Sequence, residues 1–147
     1  MMNVELATQK IQKKEANMEL NFSEISREDC LNFLSAEHYR DSLPSNIKCL
    51  GCFTDEQLVG TVSIYKASWF QTEIRYLYVD KNYRNKGIGT KLVEKAIEIV
   101  TTPVIATTVI KNNLKSMHIF KKFGFQGVLE FINPETLNEV LLMIRKR

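Results

Sequence analysis

The residues Arg84-Asn85-Lys86-Gly87-Ile88-Gly89-Thr90 have the types and order that a phosphate cradle requires. They lie between a β-branched and aromatic run ending near Val79 and the strongest helical pattern in the chain, which begins near Gly87. At a helix start the first backbone N–H groups lack internal partners and the macrodipole is positive, so a pyrophosphate accepts several hydrogen bonds there. Glycine lets the backbone approach the oxygens closely, because no Cβ intervenes. Arg84, Lys86 and Lys91 add positive charge around the same point. The spacing is neither that of a Walker loop, which needs Gly-Lys-Ser/Thr after a four-residue gap, nor that of a Rossmann fingerprint, which opens with Gly-x-Gly directly after its strand. A helix-entry loop whose glycines serve only the turn competes with the phosphate cradle.

A second pattern with chemical potential is Cys49-Leu50-Gly51-Cys52. It falls in an extended run, Ile47 to Phe53, where residues three apart point to opposite faces, and no second Cys or His pair stands ready to complete a metal site. With Cys30 the chain has three cysteines, an odd number that fits no closed disulfide framework. Buried thiols acting as small hydrophobes are the expectation, and no metal is expected.

The elements that must position the cradle follow from periodicity and breakers. Residues 1–17 are rich in Gln, Lys, Glu and Asn and read as a flexible or helical N-terminal arm, ahead of a domain spanning 18–147. A strand is expected from Met18 to Ile25. Ser26 then offers a hydroxyl N-cap to a helix from Arg27 to about Ala36, with a carboxylate three residues on at Asp29. Glu37 to Asn46, interrupted by Pro44, reads as a short helix joined to a loop. Strands from Ile47 to Phe53 and Leu58 to Lys66 flank the polar turn Thr54-Asp55-Glu56-Gln57, and another runs from Thr72 to Val79. From Gly87 the apolar positions Ile88, Leu92, Val93, Ala96, Ile97, Ile99 and Val100 recur at helical spacing. Val104 to Ile110 reads as a buried strand, Asn113 to Phe123 as a helix stopped by Gly124, and Phe125 to Ile132 and Glu139 to Arg145 as closing strands. This order describes a mixed α/β domain with a mostly antiparallel sheet and one parallel crossover through the Gly87 helix.

Composition sets outer limits. The 147 residues suit one domain, and 44% hydrophobic with 25% charged residues is an ordinary globular balance. A net charge of +3 is too slight to point to nucleic acid or a membrane surface. No apolar run approaches the ~18 residues of a membrane span, and no signal-peptide h-region is evident, so a cytoplasmic location is the default expectation.

The run from Leu77 to Leu92, containing Arg84-x-x-Gly87-x-Gly89, resembles the cofactor-binding motif of the GNAT superfamily of N-acetyltransferases. Downstream, Asn113-x-x-Ser116-x-x-x-Phe120-x-x-Phe123-Gly124-Phe125 is similar to the family's second motif, and the element order fits from Met18 to Arg147. The resemblance implies an α/β (α+β) fold with a mostly antiparallel sheet of six to seven strands and about four helices. It also implies acetyl-CoA as donor substrate and a primary amine of a small molecule or peptide as acceptor. Leu77, Tyr78 and Val79 would splay at a bulge and leave backbone groups for the pantetheine arm and acyl carbonyl. Amides of Lys86, Gly87, Ile88, Gly89 and Thr90, beside Arg84 and Asn85, would hold the pyrophosphate. Asn113 would contact the pantetheine side, with Ser116 and Phe120 on the helix lining the thioester; Leu77 and Val79 as core residues and Asn113 as a helix cap are the structural alternatives.

The implied reaction is direct attack of the amine on the thioester, which needs a base and benefits from an acid at the departing sulfur. By the resemblance Glu73 is the base candidate, six residues before Val79; an exposed strand glutamate paired with a neighbouring cation is the structural alternative. Strand alternation puts it on the face of Arg75, Leu77 and Val79 if no bulge intervenes. The family commonly has a tyrosine where this chain has Phe120, which has no proton to donate. Tyr78, Tyr83 and His118 are substitutes to consider. Trp69 and Phe70 are candidates for an aromatic wall around the acceptor, whose identity rests with the loops Glu37 to Asn46, Ala67 to Gln71 and Asn133 to Asn138. An acyl-CoA-binding sensor that lost turnover is the alternative function. A homodimer paired through the last strand is a further expectation.

Overall fold

The computed structural model describes residues 18–36 and 43–147. In chain order these form β1 (Asn21–Ile25), α1 (Arg27–Ala36), β2 (Lys48–Thr54), β3 (Gln57–Lys66), β4 (Gln71–Val79), a 3-10 turn (Lys81–Tyr83), α2 (Ile88–Ile99), β5 (Val104–Ile110), α3 (Leu114–Lys122), β6 (Gln126–Ile132) and β7 (Glu139–Lys146). The sheet order is β1-β2-β3-β4-β5-β7-β6, and β4–β5 is its parallel pair. The expected fold class holds, with three α-helices among the described residues where about four were expected. The short helix expected in Glu37 to Asn46 falls mostly outside the described residues, as does the arm at 1–17.

Local chemistry explains the elements. Ser26 Oγ accepts from the Asp29 amide at 3.0 Å and starts α1. Asp55 and Glu56 both take positive φ, as a tight two-residue hairpin demands. Helix α2 places Leu92, Val93 and Ala96 with no exposure against Val62, Ile74 and Ile105 of the sheet. Each such aliphatic side chain contributes about 1.5–3 kcal/mol by leaving water. Helix α1 covers a second cluster, Cys30, Leu34 and Cys49, on the opposite face.

Register separates the two cysteines of the CxxC pattern. Cys49 lies opposite Ser63, on the α1 side, and Cys52 opposite Gly60, with the cluster under α2. Both are buried free thiols, and burial pushes the Cys52 thiol up to about 11. Cys30 and Cys49 each contact Ser63 Oγ, at 3.6 and 3.7 Å. Hydrogen bonding from Cys49 draws the Cys30 thiol down to about 7 and raises Cys49.

Two irregularities in β4 shape the site. First, β4 and β5 pair only at Gln71↔Val104, Thr72↔Ile105 and Glu73↔Ala106, then part. Second, a bulge sets Tyr76 and Leu77 against the single residue Val62, with Tyr76 at φ 52°. A left-handed tyrosine costs of the order of 1–3 kcal/mol and persists only where the surroundings hold it. The bulge corrects the expected alternation: Glu73, Arg75 and Tyr78 share one face, opposite Tyr65, Ser63 and Thr61, and Val79 turns to the other.

Candidate active site

The cradle is assembled from the end of β4 forward. The Asp80 amide donates to the Val59 carbonyl at 2.8 Å, and Asp80 caps the 3-10 turn by accepting from the Asn82 amide at 2.9 Å. Asn85 and Gly87 then take φ 63° and 79°, two left-handed residues that aim the chain into α2. Gly87 is the N-cap of α2 and gives no side-chain cap, so the first-turn amides stay outside the helical ladder. A Cβ on Gly89 would lie 3.3 Å from Ile119 Cδ1 of α3, so glycine is what allows the two helices to meet there. Arg84 is committed to the strand end: its Nε donates to the Val79 carbonyl at 3.0 Å, its Nη2 to the Tyr78 hydroxyl at 3.0 Å, and its guanidinium stands over the Tyr78 ring.

A groove of about 420 Å³ runs from this cradle, between Tyr78, Val79, Gly87, Gly89 and Thr90 on one side and Asn113, Ser116 and His118 on the other. Leu77, Asn113 and Ser116 also line a second cavity of about 600 Å³, so the two adjoin. The second cavity passes through the parting of β4 and β5. Its walls include Phe120, Thr107 and Val109 from the α2–α3 side of the sheet and Glu73, Arg75 and Thr108 from the α1 side. Thr107 Oγ1 donates to the Ile74 carbonyl at 2.9 Å, one residue beyond the last ladder pair, and so pins the apex of the gap.

On the far side, Glu73 is held by its neighbours. Arg75 places both Nε and Nη2 at 2.6 Å from Glu73 Oε2, and Gln71 Nε2 donates to Oε1 at 3.4 Å. The Arg75 guanidinium stands 4.9 Å from the Tyr65 ring centroid, which fixes its plane.

A backbone cradle at a helix N-terminus, opening into a slot between two parted parallel strands, is the arrangement that the first sequence motif leads one to look for. The Acetyltransferase (GNAT) family profile matches residues 14–125. The chain belongs to this family. A probable spermine N(1)-acetyltransferase from Bacillus subtilis subsp. natto (strain BEST195) is 32% identical over 60 residues, 37% of this chain and 40% of that protein. The chain therefore matches well under half the length of that relative. The ribosomal-protein-S18-alanine N-acetyltransferase from Escherichia coli superposes at TM-score 0.74 with 12% identity, over 87% of this chain and 94% of that one. A GNAT acetyltransferase from Streptococcus pneumoniae gives 0.70 with 21% identity over 87% and 99%. One from Elizabethkingia anophelis with acetyl-CoA bound gives 0.68 with 12% identity over 87% and 98%. These likenesses establish the GNAT fold.

Within this GNAT domain, Leu77, Tyr78, Val79, Arg84, Asn85, Gly87, Ile88, Gly89, Thr90, Asn113 and Ser116 all border the groove, while Lys86 is exposed and outside its lining. Asn113 is a true cap, its Oδ1 accepting from the Ser116 amide at 3.2 Å, and it borders both cavities as well. Phe120 is buried edge-on against Phe125 and reaches the second cavity. Tyr83 and His118 border only the groove. Trp69, 80% exposed, and Phe70 sit at the β3–β4 hairpin tip and line neither cavity.

Three residues went unnoticed as site candidates from the sequence. Thr107 carried a signal, a polar side chain within an otherwise aliphatic strand. Arg75 carried one in its i, i+2 spacing from Glu73. Lys115 carried none beyond its place between Asn113 and Ser116; its Nζ donates to Asn85 Oδ1 at 3.1 Å across the groove rim.

Proposed function

We propose that this chain transfers an acetyl group from acetyl-CoA to a primary amine of a small molecule or peptide by direct attack on the thioester. The observation that carries the proposal is the slot between β4 and β5, which joins the groove at the α2 cradle to Glu73 on the opposite side of the sheet. Donor and acceptor thereby reach one gap from two directions.

The residues fit the donor. First-turn amides of α2, uncapped at Gly87, are free to hold the pyrophosphate, with Arg84 and Asn85 shaping the approach and Lys115 supplying a cation at the rim. Leu77, Tyr78 and Val79 flank the pantetheine path, with Asn113 and Ser116 across from them, and Phe120 packs at its inner end. When bound, acetyl-CoA supplies an activated acyl carbon: the nitrogen–carbon bond forms, the carbon–sulfur bond breaks, and the bonding pair leaves on sulfur. Glu73 takes the proton that the attacking amine gives up and passes it to solvent. Arg75 holds Oε2, so Oε1, in a long contact with Gln71, is the oxygen turned to that proton. Phe120 donates nothing, and water protonates the sulfur; a thiol with a pKa of roughly 8.5 departs without an enzymic acid.

Release of free CoA thiol across an amine panel tests the proposal. Wild type should release it with at least one amine, and Glu73→Gln should abolish most of it. Tight acetyl-CoA binding with no release for any amine, and no effect of Glu73→Gln, would instead mark an acyl-CoA-binding sensor.

The same proposal extends to setting. No helix among the described residues is long and apolar enough to cross a membrane, and the cysteines are free thiols, which supports a cytoplasmic location. The small net charge supports acceptors other than nucleic acid. For a homodimer, the edge available at the C-terminal end of the sheet is β6, because the last strand, β7, is paired on both sides by β5 and β6; β1 is the edge at the other end. Val128, Leu129 and Ile132 are exposed along β6, and a monomeric mass in sedimentation equilibrium would exclude pairing through it.

A further inference from the structure

Among the described residues, the charged side chains lining the cavity at the β4–β5 gap are Glu73 and Arg75. They form one dipole. Glu73 lines the gap with Oε1 in only a long contact with Gln71, and Arg75 uses Nε and Nη2 on Oε2. A guanidinium carries five N–H groups, so donors remain on the side of Arg75 away from Glu73. Stacking on Tyr65 holds their direction, and partial exposure leaves them reachable. The remaining polar walls on this side, Gln71, Tyr76 and Thr108, carry no formal charge.

A polyamine in this cavity would bring several ammonium groups to one carboxylate that Arg75 already neutralises. Among the described residues its second cation would meet no further anion in this cavity and would lie beside the guanidinium. A molecule with one ammonium and one carboxylate on adjacent atoms matches instead, its amine on Glu73 and its carboxylate on Arg75. Glu73 and Arg75 are in direct contact, Nη2 to Oε2 at 2.6 Å, so an acceptor that engages both side chains at once carries its own two charges a short way apart.

We infer, given the acetyl transfer proposed above, that the acceptor is a zwitterionic amine of the amino-acid type, with the carboxylate on the carbon bearing the amine or the next one. Arg75 is then the residue that selects it. The carboxylate–guanidinium contact is charge-assisted and geometrically specific.

The test measures CoA release from acetyl-CoA by the full chain with α- and β-amino acids, with the matched amino alcohols in which CH2OH replaces the carboxylate, and with spermine. Wild type should favour the acids over the alcohols and over spermine by about tenfold or more in kcat/KM. Because Arg75 also holds the Glu73 carboxylate, Arg75→Gln should lower kcat for acids and alcohols alike, and should erase the preference through a further rise in KM of about tenfold that is confined to the acids; Arg75→Lys should restore part of it. Acetyl-CoA affinity, measured by calorimetry, should be the same in all three proteins and reports that each is folded. Equal or better turnover of alcohols or spermine by wild type overturns the acceptor class and leaves acetyl transfer standing. So does an Arg75→Gln effect on KM that is equal for acids and alcohols. Acetyl-CoA binding with no CoA release for any acceptor overturns the transfer itself, and the acceptor class with it.

Discussion

The two mouths of the groove are built from different materials. At the N-terminus of α2 the walls are main chain: uncapped amides, two left-handed residues and a glycine that lets α3 close in. At the other mouth the walls are side chains, Glu73, Arg75 and Gln71, brought to one face by strand register, with Tyr65 stacked behind Arg75. Main-chain donors at a helix start suit a ligand part that never varies, because nearly any side chains can surround them. Side chains on a strand suit a ligand part that differs among proteins, since one substitution changes charge without disturbing the ladder.

If this division is right, substitutions at the two mouths should separate chemistry from donor binding. Glu73→Gln should have the largest effect, lowering kcat by about 10²–10⁴-fold while acetyl-CoA affinity stays within about twofold. A comparable loss of affinity would mean that Glu73 supports the cradle instead. Gly89→Val should do the reverse. Its branched side chain meets Ile119 and crowds the amides, so the dissociation constant for acetyl-CoA should rise about 10–100-fold, with kcat at saturating donor changed far less.

Thr107→Val tests the hinge between the mouths. It leaves the Ile74 carbonyl without its donor at the apex of the gap and should cost about 1–2 kcal/mol, a fall in Tm of about 3–6 °C. An unchanged Tm would show that the parting of β4 and β5 holds without it. Lys115→Ala should have the smallest effect, a weakening of acetyl-CoA binding by about two- to fivefold that vanishes at high salt, because its cation is solvent-exposed at the rim. A salt-independent loss would point to a structural role for its contact with Asn85.

Legibility in the sequence followed the same division. The cradle could be read at Arg84 to Thr90 because a helix start and its glycines are defined by residues within one turn of each other. The core face of α2 was readable for the same local reason. Glu73 was readable as a candidate, but its surroundings were not. The alternation that grouped it with Leu77 and Val79 failed at Tyr76, whose left-handed backbone is imposed by pairing with β3 and carries no mark in its own residue type. Trp69 and Phe70, aromatic and close to Glu73 in sequence, proved to lie at a hairpin tip outside both cavities.

By itself, then, the sequence determined the element order, the glycine-containing turn that opens α2 and the separation of Cys49 from Cys52, all consequences of patterns that span a few residues. Only the tertiary structure decided that β7 inserts between β5 and β6, that β4 and β5 part after Glu73, and that Arg75 grips the Glu73 carboxylate. Those features depend on which strands meet and in what register, and register is set by packing across the whole sheet.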